Sequence, residues 1–585
     1  MLPRYNLFKV IILLVIIHSF ITEAAKIYVD CNAEGNGSGK NWKNAYSDLQ
    51  NGIKDQKPGD TLFVAEGIYY PAEKGGSRDA TFRIGKNVKI YGGYKTGGTS
   101  RDWKKYTTIL NGDILRDDTI VNDSIKNNEN NVYSVVSSNN AANTVLDGFT
   151  IRGGYGISDT SLSTPPRRIG GGLNIDAWEG NDTACFSIRN CKIVDNVAEA
   201  KGGGIYFKGK RCIVENCFLL RNSISDFSHK LISAGGALAF EGFDCIIKNC
   251  QFDSCKASNG GAVSFKGKVL KINGGHFISN KATGNGGGAI NLEGDSINCK
   301  NVVFENNSSV QGCGGSIIIR GKSMDISACS FRSNSSAYAS GAIDFWGDSC
   351  SITKSNFVGN TVSSIAGAIL FKGRAMCVSD CVFEKNSTGS GNAGAVYFEG
   401  KNYTSNNCIY KENKAGLNGG ALYLLLNIMA GSNNVFEANK SEQASGGAVY
   451  FEGDTLLSLK SKFLKNKAEV YGGAISFMGK NYKCDSTSFT QNEAKNGGAL
   501  YLYCDIGFGK IYYPGYSICN TDFTSNTADS GGALSALGKG SINKCNYVEN
   551  SSSYGCAIFT WDHKISHQKQ AQKDSAKIAR ELSVK

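Results

Sequence analysis

Two short motifs alternate along this chain from about residue 170 to about residue 560: a Gly-Gly-Ala-aliphatic step and a Phe-x-x-Asn step. They read Phe277-Ile278-Ser279-Asn280 then Gly287-Gly288-Ala289-Ile290, and again Phe463-Leu464-Lys465-Asn466 then Gly472-Gly473-Ala474-Ile475. Self-similarity at a fixed period means one structural unit stacked on itself, so the chain is restricted to solenoid architectures. The steps at Gly420, Gly447, Gly473 and Gly498 are 27, 26 and 25 residues apart. Leucine-rich repeats have a similar length but need a Leu-x-x-Leu-x-Leu pattern, which is absent, and helical repeats need a helical period.

Within each unit the residues after the glycine pair alternate. Ala448-Val449-Tyr450-Phe451, Ala474-Ile475-Ser476-Phe477 and Ala342-Ile343-Asp344-Phe345 carry large apolar side chains at the second and fourth places, while the third place varies. A period of two belongs to a strand with one buried face. A glycine such as Gly453 or Gly479 then marks a turn, and a second short strand runs into the Phe-x-x-Asn step. The expected fold is all-β: a right-handed single-stranded parallel β-helix with an N-terminal capping segment.

In that scheme the motif residues are structural. Phe463 and its counterparts Phe331, Phe357, Phe383, Tyr410 and Phe436 stack into an apolar column. Asn280, Asn466 and their counterparts form an amide ladder at a bend. Gly288 and Gly473 let the backbone turn into the next strand, and the alanine that follows fits where a larger side chain would clash. Coils stacked about 4.8 Å apart would build a rod about 70 to 90 Å long.

Residues 1–25 read as a secretory signal, with Arg4 and Lys9 ahead of an apolar run from Val10 to Phe20 and then Thr22-Glu23-Ala24-Ala25. That run is shorter than the roughly 20 residues a membrane span needs. Residues 26–80 read as an N-terminal cap with a helix from about Trp42 to Lys54, 81–169 as early irregular coils with loops, 170–562 as regular repeats, and 563–585 as a polar tail. The polar stretches Asp117 to Asn131 and Ser158 to Arg168 read as loops thrown out of the rod.

Composition narrows the classes further. With 72 Gly, 6 Pro and 41% hydrophobic residues, the chain is neither collagen-like nor disordered. The net charge of +12 is spread over interspersed basic and acidic residues, which fits a solvated surface and gives no support to nucleic-acid binding. Of the 20 cysteines, Cys191, Cys217, Cys250, Cys329, Cys381, Cys408 and Cys545 share one register just before the Phe-x-x-Asn step. Cys212, Cys245, Cys350 and Cys377 form a second set ahead of it. Recurrence at one register implies buried columns of a small residue, with oxidation of some neighbouring pairs as the alternative.

No catalytic residue, metal or cofactor is assigned. Glycoside hydrolysis needs carboxylates that converge on one face, and lyase chemistry needs calcium-binding acids beside a basic residue. Here Asp344 and Asp348 share a coil, while Asp295 and Asp454 read as turn residues. His18, His229, His276, His563 and His567 form no metal-ligand pair within the repeat. The candidate binding residues sit at the variable third place: Tyr206, Tyr397, Tyr423, Tyr450 and Tyr501. Tyr397, Tyr423 and Tyr450 belong to consecutive coils and should form an exposed aromatic stripe whose flat faces suit sugar rings or a protein. The alternative is a cross-coil stack that only stabilises the sheet.

The alternating Gly-Gly-Ala-Ile and Phe-x-x-Asn steps resemble the repeats of the chlamydial polymorphic outer membrane proteins over about residues 170 to 560. The head, with Ile27-Tyr28-Val29, Gly59-Asp60 and Asp147-Gly148-Phe149-Thr150-Ile151, looks like the start of many secreted right-handed β-helix proteins. The resemblance implies a secreted or cell-surface passenger, a non-enzymatic adhesin with a host-cell protein or glycan as partner and an outer-membrane association. The family's C-terminal autotransporter barrel has no counterpart in the residues after Ile558, so simple secretion is expected. The other readings are a secreted polysaccharide lyase or hydrolase on the same fold, and a structural surface-layer protein.

Overall fold

A computed structural model describes residues 24–122, 124–157, 169–178, 185–225, 234–503, 505–507, 510–554, 557–560 and 566–567. The signal at 1–25, apart from its last two residues, the loop at 158–168, His18, His229, His563 and most of the tail at 563–585 lie outside the described residues. The chain winds into a parallel β-solenoid of about 17 turns. At about 4.8 Å per turn the rod is about 80 Å long.

One coil illustrates the rest. Val449–Leu459 forms an 11-residue strand, followed by Lys462–Leu464 and the two-residue strand Lys467–Ala468. The long strand pairs in parallel with Leu422–Ser432 of the previous coil and Ile475–Asp485 of the next. Sequence reading placed a turn at Gly453, but the strand runs through it. What changes there is the phase of burial: Val449 and Phe451 are buried before the glycine, Leu456 and Ser458 after it. A strand that keeps its ladder while shifting its inward side chains by one residue is bent at that point.

The corners beyond it are made by residues other than glycine. Lys460 and Lys465 hold φ of 49° and 55°, and corresponding residues in neighbouring coils do the same, among them Asn433, Ala438, Asp380 and Lys385. A left-handed residue costs roughly 1–2 kcal/mol where glycine is not used. Each is followed by a buried side chain that holds the corner in place. After the second corner comes asparagine. The Asn413 amide donates to the Asn439 Oδ1 at 3.0 Å and to the Phe383 carbonyl at 2.8 Å, while its own Oδ1 accepts from the Asn386 side chain and backbone at 3.0 and 3.1 Å. The same bonds run from Asn280 through Asn466 to Asn550.

After the first corner comes the principal cysteine register, and its chemistry explains the recurrence. The Cys408 thiol donates to the Asn406 carbonyl at 3.2 Å, as the Ser461 hydroxyl does to Leu459 at 2.9 Å and the Thr521 hydroxyl to Cys519 at 2.7 Å. Several of these side chains also accept from the backbone of the coil before, as when Ser355 N–H donates to Cys381 Sγ at 3.4 Å and Asn434 N–H to Ser461 Oγ at 3.3 Å. Cysteine, serine and threonine are interchangeable there because each is small and carries one donor and one acceptor. The 18 described cysteines are free thiols, most of them buried. Cys377 leaves the second set: Met376 is the register partner of Cys350, and Cys377 is exposed on the opposite face of the strand.

Inside the solenoid the Phe-x-x-Asn rings stack as expected. Phe331 lies 4.7 Å from Phe357 and Phe436 lies 4.6 Å from Phe463, with planes within 1° in both pairs. Around the glycine pair the chains come closest. Gly472 has φ of 62°, and a Cβ on Gly473 would collide with the carbonyl oxygen of Gly498 in the next coil. At the N-terminal end the helix spans Leu49–Asp55, shorter than the stretch from Trp42 that sequence suggested, because residues 39–46 instead hydrogen-bond along the outer edge of Lys26–Val29. Leu49 and Ile53 on that helix are buried in the common core. The polar stretch at 117–131 holds a small antiparallel hairpin, Thr119–Val121 with Ser124–Lys126.

Two measurements separate the roles of the two ladders. Asn413→Ala takes the acceptor from the Asn386 backbone N–H and amide and the donor from the Phe383 carbonyl, and should lower stability by about 2–4 kcal/mol, read from the urea midpoint by circular dichroism. Cys381→Ser keeps both hydrogen bonds and should change it by less than about 1 kcal/mol.

Candidate functional site

The third place of the first strand forms one column along the rod. Register pairs it as Tyr206, Ala239, Ser264, Asn291, Ile318, Asp344, Leu370, Tyr397, Tyr423, Tyr450, Ser476 and Tyr501. These side chains point away from the solenoid core, but outward is not the same as exposed. The segments that precede each glycine pair fold over the column. Ala366 and Ala393 pack with Leu370, Tyr397 and Tyr423 into a small apolar cluster separate from the main core.

Tyr397, Tyr423 and Tyr450 do come together. Their ring centroids are 5.1 and 4.9 Å apart with planes tilted by 21° and 5°, and each ring is half-buried. Since the faces cover one another, the stack offers solvent a row of ring edges and hydroxyls. The flat faces expected from the sequence are used up inside the stack. Burial pushes the Tyr397 and Tyr423 phenols up to about 12. Tyr450 is raised further, by burial and by the Tyr503 hydroxyl 3.5 Å away.

The other third-place tyrosines divide. Tyr206 is 8% exposed and donates to Glu241 at 3.0 Å, so it is no part of an exposed stripe. Glu241 also pairs with Lys201. Tyr501 stacks on Tyr471 at 4.3 Å and lies 5.1 Å from Tyr503, which extends the aromatic patch toward the C-terminal end.

Sequence reading missed the fifth place of the same strand, two residues on and therefore on the same face. There Trp346, Lys372, Glu399, Leu425, Glu452, Met478 and Tyr503 pair in register. Trp346 is 46% exposed, with Arg320 5.0 Å and Lys372 5.3 Å from its ring centroid. Lys372 reaches Glu399 at 2.7 Å. The period-two rule applied one step further along each strand would have found this column.

The acids and histidine named from sequence stand apart from the stripe's chemistry. Asp344 is 1% exposed and paired with Arg320 at 3.2 Å, and burial raises its pKa. A carboxylate so enclosed does not meet a polymer passing along the surface. Asp295 and Asp454 pair with Lys322 and Lys480 of neighbouring coils at 2.8 and 2.5 Å, and His276 is exposed on the outer face.

The phenol shifts are testable by absorbance at 295 nm. A raised pKa means that the unfolded chain loses these protons first, so the tyrosine contribution to stability is whole below pH 10 and is lost as pH rises through about 12. The titration of Y397F/Y423F subtracted from that of the native chain should leave a component centred near pH 12.

Residues 486–503 match the model of the Chlamydia polymorphic membrane protein repeat. The matched stretch holds Phe489-Thr490-Gln491-Asn492 and Gly497-Gly498-Ala499-Leu500, one copy of each motif. No curated protein matches the chain. Among solved structures, the PL6 family alginate lyase AlyGC aligns at 10% identity over 92% of this chain and 100% of that chain, with a TM-score of 0.24. An arginine-to-alanine mutant of that enzyme aligns at 10% identity over 88% and 97%, with a TM-score of 0.21. Likeness this low bears on neither chemistry nor ligand. The chain is a parallel β-solenoid in which the stretch 486–503 matches the Chlamydia polymorphic membrane protein repeat.

Proposed function

We propose that this protein is a secreted or surface-exposed, non-enzymatic adhesin that binds a host-cell protein along the face bearing Tyr397, Tyr423 and Tyr450. The observation that carries this reading is the stack itself. Its ring edges and hydroxyls, flanked by Lys372, Glu399 and Glu452, form a long band of mixed apolar and charged character. Tyrosine at such a place supplies contact area at low entropic cost and a hydroxyl for hydrogen bonding. A sugar ring would instead need an open aromatic face, which this stack lacks between its rings. The repeat match favours a surface protein of the Chlamydia type. Among the described residues no helix is long and apolar enough to cross a membrane.

Binding of the purified chain to host cells, run beside a glycan array, tests the reading. The Tyr397, Tyr423 and Tyr450→Ala triple variant should lose at least about tenfold in cell binding, as expected when central interface aromatics are truncated. Binding unchanged in that variant removes the stripe, and a glycan-array signal lost in the same variant moves the partner to a carbohydrate. Release of unsaturated or reducing ends from polyuronates by the native chain would replace the adhesin with a polysaccharide-active enzyme.

A further inference from the structure

The small hairpin stands beside the outer face of the early coils, and a cleft of about 760 Å³ runs between them. Its floor is the outward side of four neighbouring strands, Thr108–Asn111, Phe149–Arg152, Lys192–Val194 and Phe218–Leu220. Ile109, Thr150, Lys192 and Phe218 pair across them in register. Arg152, Val194 and Leu220 form the next row, two residues on and therefore on the same face. One wall is the hairpin, where Ile120 and Ile125 sit directly opposite one another and so share a side of the ribbon. The other wall carries Trp103 and Lys104.

The cleft holds large apolar side chains in contact with solvent. Ile120 is 63% exposed and Phe218 39% exposed. A two-stranded hairpin on its own is marginally stable in water, so a ligand that covers Ile120 and Ile125 stabilises the ribbon as it binds. Mostly apolar walls, a few convergent charges and a volume of roughly 300–1,000 Å³ are the usual features of a small-ligand site.

The charges at the cleft are of one sign. Among the described residues Lys104, Arg152 and Lys192 make no ion pair, and Arg152 Nε is shielded from solvent with no hydrogen-bond partner. Asp118 feels the charge of Arg152, but both its oxygens take hydrogen bonds from the Asn131 amide at 3.2 and 3.0 Å. Asp195, the acid that lines the cleft, is held by Arg221 through two bonds of 2.8 Å. A shielded guanidinium N–H without an acceptor is unfavourable, and an anion brought to Arg152 supplies the acceptor. Lys192 is its diagonal neighbour on the adjacent strand, within reach of the same anion.

An apolar body with one anionic end fits this lining. A peptide fits it less well, because the floor strands already spend their backbone groups on neighbours at both sides, and an entering chain would lose water without gaining partners. An alkyl chain makes no such demand, and each methylene it buries is favourable. We propose that the cleft binds a fatty acid, with its chain between the hairpin isoleucines and Phe218 and its carboxylate on Arg152 and Lys192. At the coil spacing the floor is about 14 Å long from Ile109 to Phe218, which accommodates a chain of dodecanoate length.

The test is calorimetric titration of the full chain with sodium dodecanoate kept below its micelle concentration, alongside tryptic cleavage after the exposed Lys126 in the hairpin. The native chain should bind one dodecanoate, and cleavage should slow several-fold. Dodecyltrimethylammonium, the same chain with a cationic head, should bind at least about tenfold more weakly, as loss of a hydrogen bond to a charged group predicts. Lys192→Gln should weaken dodecanoate binding by about tenfold, and Ile120→Asn by a similar factor through lost apolar contact. Both positions are exposed, so neither change puts folding at risk. The proposal is overturned by an absence of both saturable heat and protection up to about 1 mM dodecanoate. It is equally overturned by dodecyltrimethylammonium binding as tightly as dodecanoate, or by binding that survives unchanged in both variants.

Discussion

Everything in this molecule depends on coils that stack without a slip in register, and the buried asparagine ladder enforces that register. Each Asn of the run Asn280 to Asn550 supplies the acceptor for the corner of the coil before it. A slip of one residue would leave those amides unpaired and turn every side chain of the strand to the opposite face. The ladder also explains why left-handed lysines, serines and alanines persist at the corners. Surroundings that over-determine a strained residue can hold it at a cost of about 1–3 kcal/mol. The second ladder of thiols and hydroxyls does the same for the other corner.

Fidelity of stacking has a functional side. Because the register is fixed, a choice made at one place of the repeat becomes a column, and tyrosine at the third place of three successive coils becomes a band. The same fidelity limits what the band can present, since rings one coil apart cover one another. Asn386-Ser387-Thr388 and Asn439-Lys440-Ser441 have the form of glycosylation sequons, and they show the constraint from another side: both asparagines are fully buried ladder residues and are committed to the corner.

Much of the fold was legible because motif and structure share one period. The alternation at Val449-Tyr450-Phe451, the ring column at Phe463 and the amide at Asn466 follow from side-chain chemistry alone. The corners were less legible. Lys460 and Lys465 carry none of the Gly, Asn or Pro signals on which turn reading relies, and their conformation is imposed by the neighbouring coil. Cys377 was misassigned because a one-residue difference in spacing moves a side chain to the other face. The site was less legible than the fold. Exposure at Tyr206 and Asp344 depends on which loops fold over the column, a tertiary matter, and the hairpin that carries Ile120 and Ile125 reads in sequence only as part of a polar loop.

One rung lacks the amide. Cys255 occupies the ladder place between Asn222 and Asn280; its backbone N–H still donates to Asn280 Oδ1 at 3.1 Å and its thiol to the Leu219 carbonyl at 3.4 Å. Asn222 reaches the next coil through hydrogen bonds from its backbone and its side chain to the Cys255 sulfur, a weak acceptor, so the ladder is two runs joined by a weaker link. In a solenoid, where each coil touches only its neighbours, cooperativity is carried by the interface between coils. One sulfur in place of an amide therefore lowers the coupling between the coils on either side of Cys255, inside a sheet whose backbone pairing runs on unbroken.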